Sequence, residues 1–164
     1  MLDVNIILCP TDFSKHALKA VETAEQLCHY LSATLLLVHV LPPVPSSTPI
    51  SSTIQSGPPG YKDPPSTVDL SIGEYIKELT VDAEKKLEDI KENKIKKDIE
   101  VEIEALNEGS EAEEINRLAD ERKVDMIVIS THGKTGLKEV FLGSVTEKVI
   151  RHAQKPVLTI QSEV

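Results

Sequence analysis

The sequence has few aromatic residues and no tryptophan. Aromatic side chains make up only 3% of its 164 residues, so the hydrophobic core has to be built from leucine, isoleucine, valine and alanine, and stacking on nucleobases is not an expected binding strategy. Basic residues are also outnumbered, because 18 Lys and Arg stand against 27 Asp and Glu and leave a formal net charge of −9. This balance argues against DNA, RNA or an anionic membrane as the main partner.

Cysteines and long apolar runs are equally scarce. Cys9 lies in a strand-like segment and Cys28 in a helical one, which is too little for a disulfide framework or a CxxC metal site and favours two buried thiols in a reducing compartment. No basic amino-terminal region precedes an apolar core, and no apolar run is long enough to span a membrane. These absences predict a cytoplasmic protein.

Strand-like and helix-like patterns alternate along the chain. Short apolar runs predict buried strands, apolar residues spaced by three and four predict amphipathic helices, and the alternation in residues 100–106 predicts a half-exposed edge strand. The predicted order is strand 5–9, helix 14–30, strand 34–40, helix 68–93, strand 100–106, helix 110–123, strand 126–130, a helix from residue 144 and strand 157–160. This alternation predicts an α/β fold with a doubly wound, mainly parallel sheet and right-handed crossovers.

Residues 41–66 contain most of the 10 prolines of the chain and many serines. Because proline breaks helices and cannot donate a ladder hydrogen bond, this composition predicts a long loop. A linker between domains is the alternative, but the segment before it is too short for a separate α/β domain. We therefore expect a single domain over residues 1–164 with an inserted loop at about 41–66.

The segment 131–144, THGKTGLKEVFLGS, places three glycines and two lysines between a predicted strand and a predicted helix. Ser144 is a good N-cap residue, and the first N–H groups of a helix have no intrahelical acceptor and lie at the positive end of its dipole. The segment therefore predicts a phosphate-binding site, with Gly143 allowing close approach to the backbone.

Two further segments are expected at the same edge of the sheet, because ligands of doubly wound folds bind at the carboxyl ends of the strands. In PTDFS at residues 10–14, Asp12 is placed to accept hydrogen bonds from ribose hydroxyls or to cap locally, and Ser14 is interpreted mainly as a helix cap. In the second segment, the main chain of His39 and Val40 is placed to read an adenine edge. The His39 side chain itself is interpreted as a core histidine.

These segments resemble the universal stress protein (UspA) family over essentially the whole chain. The resemblance is carried by ILCPTDFS at 7–14, LLLVHV at 35–40, NEGSEAEEI at 107–115 and the segment 124–160. Nucleotide-binding members are similar in having a G-x2-G-x9-G-[S/T] signature. Its second and third glycines match Gly133 and Gly143 and its hydroxyl residue matches Ser144, whereas Ser130 replaces the first glycine. The resemblance implies a Rossmann-like five-stranded sheet in the order 3-2-1-4-5.

The resemblance also implies ATP, with Asp12 on the ribose, Val40 on the adenine, the glycine segment around the phosphates, and magnesium or manganese bound through the phosphates. No catalytic residue and no metal-binding side chain are predicted. The remaining histidines sit on helices without forming a metal cluster: His16, His29 and His152. The residues predicted to bind nucleotide are Pro10, Thr11, Asp12, Val40, Ile129, Ser130, His132, Gly133, Gly143, Ser144 and Val145.

Several of these positions carry alternatives. Ser130 is expected to be tolerated if the position needs only an amide or a compact side chain, whereas a positive φ there would cost about 1 kcal/mol or more. His132 is placed either to touch phosphate or to support the loop. Lys134 and Lys138 are placed either to neutralise phosphate or to face solvent.

The predicted function is that of an ATP-binding regulatory protein in a stress response. A slow ATPase or phosphotransferase is the second interpretation, and the absence of a GxxxxGK[ST] motif argues against rapid hydrolysis. A dimeric interaction module without nucleotide is the third. The last strand, PVLTI at 156–160, is short and apolar at an open sheet edge, and the resemblance implies a homodimer joined through it. An edge covered by the protein's own loop is the alternative.

Overall fold

The computed structural model of the chain describes residues 3–43, 72–96, 98–132 and 142–161. No helix in these ranges is long and apolar enough to cross a membrane. Beyond residue 43, the predicted inserted loop lies outside the described residues, as does the predicted start of the second helix at position 68. The elements follow the predicted alternation: β1 Ile6–Pro10, α1 Lys15–Leu31, β2 Thr34–Val40, α2 Ile72–Asn93, β3 Val101–Leu106, α3 Glu111–Glu121, β4 Met126–Ser130, α4 Ser144–His152 and β5 Val157–Ile160.

The five strands form one parallel sheet in the order β3-β2-β1-β4-β5. β1 is the central strand, with Ile7 opposite Leu35 of β2 and opposite Met126 of β4. The doubly wound parallel sheet and the strand order 3-2-1-4-5 are therefore confirmed. β3 and β5 are the two edges, and the residues of β3 are mostly half-buried, as the alternating pattern predicted.

Alternate residues of the central strands pack on opposite faces of the sheet. The face covered by α1 and α2 buries Ile7, Cys9, Leu35, Leu37 and Val128. The face covered by α3 and α4 buries Leu8, Leu36, Val38, Ile127 and Ile129. Because helices cover both faces, the central strands have no solvent side, which explains their continuous apolar sequences.

Helix α4 begins at Ser144 as predicted, but its N-cap is not the predicted residue, whereas the N-cap of α1 is. Ser14 is the N-cap of α1, and its hydroxyl accepts the N–H of Ala17 at 3.1 Å. The prediction that Ser144 caps α4 is wrong, because the N-cap is Gly143 and Ser144 is the first helical residue. Gly143 N–H donates to Thr131 O at 2.7 Å, which holds Gly143 extended at φ −65° and ψ 153° and places the N-cap one residue before Ser144.

Cys9 and Cys28 are free, buried thiols, as predicted. Burial is the main cause that raises the pKa of both thiols above its usual range, that of Cys28 to about 12. Both are therefore protonated at neutral pH and pack as small apolar side chains.

Candidate functional site

The order of the strands reverses at β1. The chain passes from β1 through α1 to β2 on one side, whereas β4 lies on the other side of β1. The segments that leave the carboxyl ends of β1 and β4 thus diverge and open a crevice, which is where doubly wound folds bind their ligands. Pro10, Val40 and Ser130 are the last residues of β1, β2 and β4, so the predicted site residues from all three strands lie at this edge.

The turn after β1 is held by its own side chains. Thr11 Oγ1 accepts the N–H of Phe13 at 3.1 Å, and Asp12 Oδ1 accepts the N–H of Ser14 at 3.0 Å. Asp12 therefore has the local role that was one of its two interpretations. A carboxylate accepts several hydrogen bonds, and this one orients the Asp12 side chain at the end of β1.

Phe13 adopts a backbone conformation that is rare for an aromatic residue, with φ of 65°. Such a conformation costs about 1–3 kcal/mol and is found most often at functional sites. The ring has two contacts, because its centroid lies 4.4 Å from that of His39 and 5.6 Å from Nζ of Lys86. Sequence reasoning did not include Phe13 in the site, since no sequence signal marks a positive φ at phenylalanine.

His39 connects β2 to the turn after β1. The side chain is 8% exposed, and its Nδ1 lies 2.7 Å from Thr11 O. A backbone carbonyl can only accept, so Nδ1 carries a proton. The interpretation of His39 as a buried histidine with a hydrogen-bond partner is confirmed, and its contact keeps the Thr11 turn against β2.

Main-chain groups of β2 alternate between its two neighbouring strands. Thr34 N–H donates to Asn5 O on the side of β1 at 2.8 Å. Leu41 N–H donates to Leu106 O on the side of β3 at 2.7 Å. Even-numbered residues of β2, including Val40, therefore direct their N–H and C=O toward β1.

β1 ends before it reaches Val40. Its last paired residue, Pro10, lies opposite Val38, and Thr11 N–H donates to Val38 O at 2.8 Å. Val40 is two residues further along β2 and has no strand neighbour on this side among the described residues. Its N–H and C=O therefore point, as an adjacent donor and acceptor, into the crevice.

Ser130 closes a turn at the end of β4. Its hydroxyl donates to His132 O at 2.6 Å and accepts the N–H of His132 at 3.2 Å. Of the non-glycine residues described, only Phe13, Ser32 and Lys123 have a positive φ. Ser130 is thus outside the left-handed region, so the backbone at this position does not require glycine.

Helix α4 begins directly against the end of β4. Thr146 Oγ1 donates to Ser130 O at 2.7 Å, and Glu147 N–H makes the first helical bond to Gly143 O at 2.9 Å. The N–H groups of the preceding residues of this first turn, among them Ser144 and Val145, therefore have no acceptor within the helix. They lie beside the carboxyl end of β4, next to the crevice.

Two histidines meet across the crevice. His16 lies in the first turn of α1 and His132 directly after β4, and their ring centroids are 5.7 Å apart. Thr131 Oγ1 lies 2.9 Å from Nδ1 of His132. Nothing in the sequence spacing relates His16 to His132, and only the pairing of β1 with β4 brings them together.

The remaining predicted site residues divide into two groups. Pro10, Thr11 and Ile129 are buried at the ends of their strands, where their main chains form the floor of the crevice. Gly133 lies outside the described residues, and so do Lys134 and Lys138.

A doubly wound parallel sheet with its crevice at the β1–β4 switch point defines a Rossmann-like α/β protein. The universal stress protein family matches residues 4–161, and the chain belongs to this family.

Two curated relatives extend over most of the chain. The universal stress protein MJ0577 of Methanocaldococcus jannaschii is 34% identical over 161 residues, which cover 94% of this chain and 93% of the relative. The universal stress protein YxiE of Bacillus subtilis is 31% identical and covers 96% of this chain and 99% of its own.

Solved structures have the same fold. That of the hypothetical protein MJ0577 is 31% identical with a TM-score of 0.75 and covers 99% of both chains. A universal stress protein in complex with cAMP is 19% identical, with a TM-score of 0.62 and coverage of 98% and 99%. A universal stress protein of Archaeoglobus fulgidus in complex with dAMP is 22% identical, with a TM-score of 0.58 and the same coverage. At these two lower identities the likeness shows the fold alone.

Proposed function

We propose that this universal stress protein binds ATP in the crevice between β1 and β4 and acts as a nucleotide-dependent regulatory protein in a stress response. The observation that carries the proposal is the pair of Val40 main-chain groups directed past the end of β1. An adjacent donor and acceptor match N1 and the N6 amino group of adenine. Guanine presents the opposite arrangement, with a donor at N1 and an acceptor at O6.

The turn after β1 supplies the ribose contact in this proposal. Asp12 is oriented by its bond to Ser14 N–H, and a carboxylate is suited to accept hydrogen bonds from two adjacent hydroxyl groups. The fixed Thr11 turn keeps this side chain at the strand end next to Val40. The adenine and ribose contacts thus come from adjacent strands, as in dinucleotide folds.

The start of α4 receives the phosphates. Gly143 has no side chain between the backbone and the crevice, and the first-turn amides of Ser144 and Val145 offer donors at the positive end of the helix. Gly133 is proposed to act from the loop before the helix. When bound, a magnesium or manganese ion supplies charge neutralisation through the phosphates and requires no protein ligand.

Adenine nucleotides in two structures of the same fold support the proposal. One universal stress protein was solved with cAMP and another with dAMP. Because both ligands contain adenine and one phosphate, they are consistent with a shared mode of recognition for base and sugar. The number of phosphates bound by this chain is decided by its own residues at α4.

Titration calorimetry with ATP and GTP tests the proposal. We expect ATP to bind in the micromolar range, which corresponds to about −8 kcal/mol. GTP is expected to bind at least about a hundredfold more weakly. In the same position, guanine would place its N1–H donor against the Val40 N–H and its O6 acceptor against the Val40 C=O.

Three results separate the parts of this expectation. Absence of binding for both ATP and AMP would reject the nucleotide site. Equal affinity for ATP and GTP would reject the reading of adenine by Val40 but leave the phosphate contacts in place. Equal affinity for ATP and AMP would reject the contribution of α4 to the outer phosphates.

We also propose that two copies of the chain associate through β5. This strand lies at the edge of the sheet, and Ile160 O accepts the N–H of Thr131. The main-chain groups of Val157 and Thr159 therefore point away from β4, to the side on which no described strand pairs with β5. Leu158 adds an apolar side chain that is 38% exposed, and an edge of this kind favours pairing with a second strand.

Sedimentation of the wild type and Leu158→Glu tests this association. The wild type is expected to be a dimer at high micromolar concentration, and Leu158→Glu a monomer, because the substitution puts like charges close together across the interface. Leu31→Glu changes an exposed leucine at the end of α1 and should leave the dimer intact. A monomeric wild type, with or without ATP, would reject the proposal.

A further inference from the structure

We propose that His16 and His132 form a site for a divalent transition-metal ion such as Zn²⁺. The two side chains come from different segments, the first turn of α1 and the residue pair after β4, and their ring centroids are 5.7 Å apart with the ring planes inclined at 39°. Imidazole nitrogen is a preferred ligand of Zn²⁺, Cu²⁺ and Ni²⁺. The pair lies at the crevice but contains a residue that the nucleotide site does not use.

The spacing of the two rings suits a shared ion. Zn–N bonds of about 2.0–2.1 Å place a ring centroid about 3.2 Å from the metal, and a tetrahedral angle then separates two centroids by about 5.2 Å. The observed 5.7 Å differs from this by a few tenths of an ångström. The spacing of the ring centroids therefore permits both imidazoles to bind one ion.

The surroundings of His132 favour coordination through one particular nitrogen. Its Nδ1 contacts Thr131 Oγ1 at 2.9 Å, and Thr131 is buried. Metal-binding histidines are commonly oriented by a hydrogen bond of this kind to the other ring nitrogen. The contact fixes the ring and assigns Nε2 of His132 as the coordinating atom.

Two imidazoles leave the coordination shell incomplete. In the described parts of the chain no group of three or more His, Cys, Asp or Glu side chains is placed to hold a metal. The remaining positions are therefore left to water or, on the proposed function, to a phosphate oxygen of the nucleotide. An open shell of this type distinguishes the site from a closed structural zinc site.

Calorimetric titration of ZnCl₂ into untagged, nucleotide-free protein tests the inference. We expect one site per chain that is weakened about a hundredfold in His16→Gln and in His132→Gln, because either change removes the intramolecular second ligand. Imidazole NMR spectra should show His16 and His132 shifting together on addition of Zn²⁺. Because no nucleotide is present, a negative result leaves the ATP proposal untouched.

The double variant His29→Gln/His152→Gln is the matched control, since both residues are exposed histidines on other parts of the surface. It should bind Zn²⁺ as the wild type does. The inference is overturned if the wild type binds no Zn²⁺, if His16→Gln binds it unchanged, or if only the control variant loses binding. Thermal melting of each variant in the absence of metal identifies any loss that comes from misfolding.

Discussion

Gly143→Val is expected to abolish ATP binding, with a loss in affinity of at least about a hundredfold, or about 2.7 kcal/mol. A Cβ at this position lies 3.2 Å from Thr131 O and 4.0 Å from Thr146 Oγ1. The β-carbon alone therefore fills the space between the helix start and β4. We expect the two further methyl groups of valine to extend away from these contacts into the crevice, where the proposal places the phosphates. Calorimetry with ATP measures the loss.

Backbone strain does not contribute to this effect. Gly143 has φ −65° and ψ 153°, which is the extended region that valine prefers. The loss in ATP affinity is expected to come instead from the valine side chain. The hydrogen bond from Gly143 N–H to Thr131 O, at 2.7 Å, leaves the backbone little room to move away. The helix start is therefore expected to keep its place while its phosphate face is blocked.

Two glycine variants control this prediction. Gly143→Ala adds only the β-carbon and should weaken ATP binding less than valine does. At Gly109, in the turn between β3 and α3, the nearest atoms to a new Cβ all belong to the Glu114 side chain, with Oε1 at 3.0 Å, so Gly109→Ala does not contact the start of α4 and should bind ATP normally. Unchanged affinity in a folded Gly143→Val protein would mean that the phosphates do not pass this residue.

The fold was predictable because a strand that is buried on both faces of the sheet has a continuous apolar sequence. The apolar runs of β1 and β2 have no polar alternation, since α1 and α2 cover one face and α3 and α4 the other. Residues 100–106 alternate because β3 is an edge strand. The N-cap of α4 is Gly143 and not Ser144 because a tertiary hydrogen bond from Gly143 to Thr131 fixes the chain there, and N-cap preference is a weaker effect.

The places of Asp12, Val40 and Ser130 at the carboxyl ends of β1, β2 and β4 were predictable because they follow from where the strands end. Residues that depend on packing between distant segments were not. The positive φ of Phe13 is sustained by contacts with His39 and Lys86, which lie on other elements. The approach of His16 to its partner likewise depends on which strands are neighbours, and a single sequence contains no local signal for that.

Asp12→Asn is expected to weaken ATP binding about ten- to a hundredfold. Hydrogen bonds to a charged group contribute about 1.5–3 kcal/mol, and the proposal places both ribose hydroxyls on this carboxylate. An asparagine retains one oxygen, which can still accept the Ser14 N–H that Asp12 Oδ1 accepts at 3.0 Å. The turn is therefore kept while the capacity to accept from ribose is reduced. Calorimetry with ATP provides the affinity.

The same substitution also removes a negative charge, which changes the ATP affinity in the opposite direction and has to be separated from the loss of the ribose contacts. Removing a negative charge near the phosphates strengthens ATP binding, but this term is screened by solvent and salt, whereas the ribose contacts are direct. Titration with 2′,3′-dideoxy-ATP separates them, because that ligand keeps the phosphates and lacks both hydroxyls. The wild type should bind it about ten- to a hundredfold more weakly than ATP, and Asp12→Asn should bind the two ligands nearly equally.

Asp98→Asn, a change at the exposed partner of His29, should keep the wild-type ratio. If Asp12→Asn also kept that ratio, the carboxylate would serve only the turn after β1, and the ribose would have to be bound elsewhere.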